Sequence, residues 1–437
     1  MPFQDHPLRY RLANELHARP FPTLEAPCHA VFVAIQPLND AASRPAGADR
    51  AHLAALLDRY GAAHPAPEGT HFFGQIGRHM LKWESHTEFV TYTGFTPGIE
   101  ARPFDPVTFD LFPPDWLAVA PGACATSALV RVDLIPDDES RIDAALADWF
   151  EPESLACSRV VDGAAIIASD FRIDPAGHMR FAMFVRAGTN PQRIGRIVQR
   201  LCEIETYKAM SMLGLAQARD LSATLAAIDQ RLTHLVAGIG QQQQSADDTL
   251  DELLQVSADL ETLLVQTSFR FGATGAYEAL VNQRIAAIRE QRFNGRQTFA
   301  EFMMRRFDPA MRTVKSAESR LQSMAVRAAR AGELLRTRVD VERSAQNQKL
   351  LESMDRRADL QLRLQRTVEG LSVVAISYYA VNLTAYVLAP VAEPLGLGKT
   401  AEMALLTPVV VMLVWLLVAR IRAGAGEAGG HRISGTH

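Results

Sequence analysis

The chain has 437 residues, a net charge of −4 and 48% hydrophobic side chains. It is longer than one ordinary domain and carries enough apolar material for a sizeable core plus membrane segments. Its near-neutral balance, with a pI near 6.3, excludes the basic body of a nucleic-acid binder. The four cysteines (Cys28, Cys124, Cys157 and Cys202) are widely spaced, which excludes a disulfide framework or a paired-thiol motif.

The first residues, MPFQDHPLRYRL, are polar and contain two prolines, so no secretory signal is expected there. Leu8, Leu12 and Leu16 fall on one face of a short helix, which Pro20, Pro22 and Pro27 end. The Val- and Phe-rich segment 28–35 reads as a strand, and 48–60 as a helix with Leu53, Leu56, Leu57 and Tyr60 at helical spacing. Segments 70–82 and 87–93 read as two antiparallel strands. A proline-rich loop over 96–121 precedes a strand at 128–135 and a helix at 137–150. Further strands are expected at 158–161, 164–173 and 179–185, the last two joined by a turn at Asp174-Pro175-Ala176-Gly177.

Beyond Asn190 the pattern becomes helical, with Pro191 suited to a first turn. Helices are expected over 221–236, 250–269 and 276–289, the first broken by Gly238-Ile-Gly and Gln241 to Gln244, with an antiparallel hairpin as the economical arrangement. No proline occurs between Ala310 and Leu388, so one long helix is expected there, with Gly332 and Gly370 as the places for a kink. Val314, Leu321, Ala328 and Leu335 repeat every seven residues, a coiled-coil rhythm that needs a partner helix. From Arg312 to Arg366 this helix carries 13 basic and 7 acidic side chains. A positive stalk of this kind suits an anionic membrane surface.

Two apolar runs, Leu371 to Leu388 and Met403 to Val418, are long enough to enter a bilayer. Arg356, Arg357, Arg363 and Arg366 precede the first run, and Arg420 and Arg422 follow the second. The loop between them holds only Lys399. The positive-inside rule then places both termini in the cytoplasm and the loop outside. The expected organisation is an α+β cytosolic domain with a mixed sheet (1–189), a long helical hairpin (190–309), a stalk helix (310–370), two transmembrane helices (371–420) and a flexible cytosolic tail (421–437).

Several groups are candidates for function. The first span is polar for a lipid-facing helix, with Ser372, Ser377, Tyr378, Tyr379, Asn382, Thr384 and Tyr386. Such groups line a pore or bond between helices. Ser377, Tyr378, Asn382 and Thr384 form that face, and Glu369 sits at its cytoplasmic entrance. Near the N-terminus, His6, Arg9, Asn14, Glu15, His17 and Arg19 form a second cluster, fit to bind an anion or a partner, or to cap and anchor the first helix. His71 and His79, eight residues apart, would share a face of one regular strand, but no cysteine or carboxylate spacing completes a metal site. There is no phosphate-loop, dinucleotide or nucleophile-elbow signature, so the sequence gives no support for an enzyme and names no cofactor.

The strings HPLRYRLANELHARPF, VQRLCEIETYKAMSMLGL, RTRVDVERSAQNQKLLESMD and LQRTVEGLSVVAISYY resemble a bacterial family of membrane-anchored proteins defined as a domain of unknown function. The resemblance spans nearly the whole chain and is most specific around Glu369 to Tyr379. The element order also resembles CorA-type magnesium channels, which assemble as pentamers with the first spans lining the pore. Their Gly-Met-Asn signature is replaced here by Thr384-Ala-Tyr-Val-Leu-Ala-Pro390. Three functions are therefore expected in order: an oligomeric scaffold or interaction module held at the inner membrane, a CorA-like channel, and a membrane-held enzyme with a site in the α/β domain. The lipid bilayer and further copies of the chain are the expected partners.

Overall fold

A computed structural model describes residues 4–15, 21–38, 46–241, 246–392 and 399–427. By internal contacts the chain divides into two units, Met1–Glu333 and Leu334–His437.

The first unit opens with α1 (Arg9–Glu15), β1 (Cys28–Gln36) and α2 (Ala46–Arg59). Then come β2 (His71–Ile76), β3 (His79–Ser85) and β4 (Val90–Pro97). A 3-10 turn at Pro106–Leu111 leads to α3 (Pro114–Ala118), β5 (Ala123–Leu134) and α4 (Ser140–Trp149). Three strands follow, β6 (Ala156–Val160), β7 (Ala165–Ser169) and β8 (Met179–Val185). The long helices α5 (Pro191–Gln241) and α6 (Ala246–Ile288) come next, then β9 (Gln291–Arg292), α7 (Phe299–Arg306) and α8 (Asp308–Ala392). The last described element is α9 (Lys399–Glu427).

Among the described residues nine strands form one sheet, in the order β2-β3-β4-β1-β5-β8-β7-β6-β9. Both halves use the same device: a strand, a helix, then a three-strand meander whose last strand returns beside the first. The β1–β4 pair is antiparallel and the β5–β8 pair is parallel, so the sheet is mixed. The halves meet through the antiparallel β1–β5 pair.

β1 and β8 read as nearly unbroken apolar runs because they are covered on both faces. On one face Phe32, Val130, Phe181 and Met183 pack with Ile197, Val198 and Leu201 of α5 and with Phe299 and Met303 of α7. On the other, Val31, Val33 and Leu129 pack with Leu53, Leu56 and Leu57 of α2 and with Trp116 of α3. Phe184 and Ile166 pack there with Ile142 and Leu146 of α4. Within this core His52 has both ring nitrogens occupied, 3.0 Å from the Tyr92 hydroxyl and 3.0 Å from the Trp116 carbonyl, and burial pushes its pKa down.

The structure departs from expectation in three places. Segment 70–82 is two strands, because Gly77 (φ +56) turns the chain between Ile76 and His79; a glycine first in a two-residue loop suits a II′ hairpin. His71 and His79 therefore lie on different strands. The break expected over Gly238 to Gln244 is present, since α5 ends at Gln241 and α6 begins at Ala246, but α6 runs on through Gly272 and Gly275, where two separate helices were expected. Each glycine costs a helix only about 1 kcal/mol, and buried neighbours such as Phe271 and Thr274 supply packing that outweighs it. Strand β9 had no sequence signal: two residues that follow α6 add to the sheet edge through Ser158↔Arg292 and Arg159↔Gln291.

α5 and α6 pair as a hairpin, and α8 joins them. Gly214 of α5 lies so close to α6 that an added Cβ would sit 2.1 Å from the Thr274 hydroxyl oxygen. Leu225, Ile228 and Leu232 of α5, Leu253, Val256 and Leu260 of α6, and Leu321, Met324 and Ala328 of α8 are all buried. Asp229 of α5 is gripped by two arginines of α8, Arg320 at 3.1 Å and Arg327 at 2.9 Å. Those two guanidiniums hold its carboxyl below the usual carboxylate range.

In the second unit, Val381 of α8 packs with Val410 and Val414 of α9. Two helices here are long and apolar enough to cross a membrane by length and composition, the second over Met403–Arg420.

Two outcomes are expected in unfolding experiments. Gly214→Val should destabilise the hairpin by about 1–3 kcal/mol, read as a lower urea midpoint. Burial pushes the Cys28 and Cys157 thiols from 9.0 up to about 12. Stability is then intact below pH 9 and falls as pH rises toward 12, where only the unfolded thiols ionise. Cys157→Ala should make that alkaline slope shallower by about 1.4 kcal/mol per pH unit.

Candidate functional site

The face of α5 that meets the sheet is not wholly apolar, and its polar residues gather in a cleft of about 220 Å³. β3 and β4 supply one wall, α5 and α6 the other. Lys82 projects from β3 with its side chain 4% exposed. Its ammonium donates to the Gln199 side-chain oxygen at 2.8 Å and pairs with Glu84 at 3.1 Å. Gln199 donates in turn to Glu203 at 2.7 Å, and the other Glu203 oxygen accepts from Arg284 of α6. One chain of hydrogen bonds thus crosses from the sheet, through α5, to α6.

A second buried group stands behind it. Glu88, in the turn between β3 and β4, is 2% exposed. Its carboxylate pairs with Arg270 at 2.6 Å and accepts from Tyr277 at 3.1 Å and Gln36 at 3.3 Å. Burial and then the Glu88 charge raise the Tyr277 phenol above its ordinary value, so it remains a donor. The Tyr277 ring stacks on Tyr207 of α5, centroids 5.7 Å apart.

Chemically, the cleft is self-neutralised. Lys82 and Arg284 are matched by Glu84 and Glu203, and burial pushes the Cys202 thiol up, away from the thiolate that nucleophilic work requires. The network joins sheet to hairpin at fixed register; hydrogen-bonded charges in low dielectric do this rigidly when every member is satisfied.

The polar residues expected on the first span lie on α8 and divide between two environments. Ser377 is 5% exposed, turned toward α9, and lines a cavity of about 400 Å³ with Tyr378, Val381, Asn382, Met403 and Thr407. Its hydroxyl has no hydrogen-bond partner. Asn382 donates to the Tyr378 carbonyl at 3.0 Å and Thr384 to the Ala380 carbonyl at 2.7 Å, so both bond back to their own helix. Tyr378, Tyr379 and Tyr386 are exposed. The Gln365 side-chain amide donates to Glu369 at 3.1 Å, one helical turn apart.

The N-terminal cluster is described only in part. His6 accepts from the backbone N–H of Leu8 at 3.2 Å, and Arg9 pairs with Asp5. Both contacts are local to α1. Glu15 is the last residue of that helix, while His17 and Arg19 lie outside the described residues. His79 bonds to the Thr96 hydroxyl at 2.6 Å. Among the described residues no three His, Cys, Asp or Glu side chains gather as a metal site.

Sequence reasoning missed the cleft because its members come from separate elements and its two basic residues, Lys82 and Arg284, lie 202 positions apart. The one available signal was a lysine with a central position in a strand otherwise bearing Leu81 and Trp83.

Removing one partner of the buried pair should be costly. Glu88→Ala leaves Arg270 buried and unmatched, at about 3–5 kcal/mol. Changing both Glu88 and Arg270 to Met should cost less than the two single changes summed, as a double-mutant cycle in urea would read it.

No curated protein and no solved structure shows significant similarity to the chain. Residues 4–425 match the family described as protein of unknown function (DUF3422), and the chain belongs to that family.

Proposed function

We propose that this protein is a two-pass anchor of the bacterial inner membrane that assembles with copies of itself through α8 and presents its α/β body as a scaffold or interaction module. The observation that carries this proposal is an uncovered apolar face. Leu350, Leu351, Met354, Leu364 and Val368 are each more than half exposed. At 100° per residue they gather on one side of the helix, while Glu352, Asp355, Asp359, Arg363 and Arg366 gather on the other. Covering one large apolar side chain gains about 1.5–3 kcal/mol, so five on one side, with Arg357 and Gln361 between Met354 and Leu364, favour a partner helix. Confinement of neighbouring copies in one bilayer would hold these faces parallel and raise their effective concentration.

The two long apolar helices support a place in the bilayer. Leu371, Val374, Leu383, Val387, Leu413, Trp415 and Leu417 are exposed, a surface that suits lipid and not water. The arginines before the first span and after the second favour cytoplasmic termini on both sides. In this reading the domain limits are 1–189, 190–309, 310–370, 371–420 and 421–437.

A CorA-like channel is the second reading. The exposed Tyr378 and the partly exposed Asn382 on α8 favour it, because polar groups at membrane depth face protein or water. Ser377 turned toward α9, and Asn382 and Thr384 bonded to their own helix, leave fewer groups for a pore wall.

Light scattering of the full-length protein, corrected for detergent, tests the assembly. A particle of several 48.0 kDa chains is expected for the wild type, and single chains for Leu351→Glu combined with Leu364→Glu. A wild-type particle of one chain overturns the proposal. If a ring forms, Asn382→Leu separates the two readings, since it leaves assembly intact and abolishes ion flux only for a channel.

A further inference from the structure

A larger cavity, about 520 Å³, opens where β5, β8, α5 and α7 converge. Its volume lies within the range of small-molecule sites, about 300–1,000 Å³. Phe171, Met179, Met212, Phe302, Met303 and Phe307 line it. Methionine and phenylalanine together make an adaptable apolar wall, since the thioether chain is flexible and polarizable.

The wall is held in an unusual conformation. Phe171 has φ +53, left-handed backbone that bulky residues rarely adopt. The bend is imposed by Asp170, which is fully buried. Its carboxylate accepts from Arg180 at 3.0 Å and from the backbone N–H groups of Glu151 and Arg172, each at 3.2 Å. The bend sets the Phe171 ring against Phe302, centroids 4.3 Å apart, and edge-on to Phe299 at 4.9 Å. Backbone strain of this kind collects at ligand sites.

Charge gives the rim a sign. Lys208 is matched by Glu205 at 2.7 Å, and the other Glu205 oxygen accepts from Thr126 at 2.9 Å. Arg306, the last residue of α7, lies over the Phe302 ring at 5.5 Å and enters no ion pair among the described residues. The cavity thus combines an apolar wall with one unmatched guanidinium at its mouth. A guanidinium presents a planar fork that fits a carboxylate.

We propose that this cavity binds a long-chain fatty acid, with the acyl chain along the Phe and Met wall and the carboxylate at Arg306. One unmatched cation at the opening calls for a monoanion, and a cavity of about 520 Å³ limits it to a single acyl chain.

Cys124 provides a reporter in the unmodified chain. It lines the cavity and is exposed, while Cys28, Cys157 and Cys202 are buried. The full-length protein in lipid nanodiscs is treated with a water-soluble maleimide, and modification at each cysteine is followed by peptide mass spectrometry. Palmitate should slow modification of Cys124 saturably, by about tenfold or more, while methyl palmitate leaves the rate unchanged. Arg306→Glu should raise the palmitate concentration needed by about tenfold, and Met212→Trp, which fills the mouth from an already exposed position, should abolish the effect. Slow modification of the three buried cysteines in every arm reports an intact fold. An unchanged Cys124 rate at saturating palmitate overturns the proposal, as does equal protection by methyl palmitate or undiminished protection in Arg306→Glu.

Discussion

The first unit depends on a mismatch of lengths. α5 has 51 residues and so extends about 77 Å. A strand of the size of β8, with seven residues, spans only about 23 Å. The sheet can therefore cover the first turns of α5 and no more. The remainder would expose Leu225, Ile228, Leu232 and Leu235, yet all four are buried. α6 and the start of α8 supply the cover, and the close pass at Gly214 and the double arginine grip on Asp229 fix how they do so. The helical bundle follows from the overhang of one helix.

The same helix explains where charge enters the core. At its sheet end α5 presents Gln199, Glu203 and Glu205 beside Ile197, Val198, Leu201 and Ile204. Carboxylates in such a seam are tolerated when each finds cations and donors, and here Arg284 and Gln199 meet Glu203 while Lys208 and Thr126 meet Glu205. An apolar seam would let the hairpin slide along the sheet. Ion pairs with fixed partners resist sliding, because any other register strands a charge. Cleft and hairpin are thus parts of one joint.

Much of the fold is legible in the sequence because it rests on local patterns. β8 is where its Val and Phe content puts it, the Asp174 turn is where its Pro and Gly put it, and α5 begins at Pro191. The family resemblance carried by the strings around Tyr207 and Glu369 is supported by a match over residues 4–425. Elements set by distant contacts were hidden. β9 consists of two residues with no strand character of their own, and forms because β6 offers an edge. The stretch with glycines 272 and 275 fell between two expected helices because local propensity was judged without buried neighbours such as Phe271 and Thr274. Candidate sites fared unevenly for the same reason: Ser377 and Asn382 stand out as polar letters in an apolar word, whereas Arg306 and Phe171 gain meaning only once α7 is laid across the sheet.

Strand β9 also bears on how the protein is made. Its partner Arg159 is paired with Gln291, so the sheet stays open at that edge until nearly all of the first unit has been synthesised. Chains fold as they emerge, N-terminal units first, at roughly 5–20 residues per second. Every strand precedes the apolar stretches of α8 and α9 in the chain, so the sheet can close before either stretch leaves the ribosome. An unpaired β6 edge is a template for wrong pairing. Closing it with residues that directly follow α6 makes completion of the hairpin the event that retires this hazard, and the body can be finished before the apolar stretches of α8 and α9 emerge.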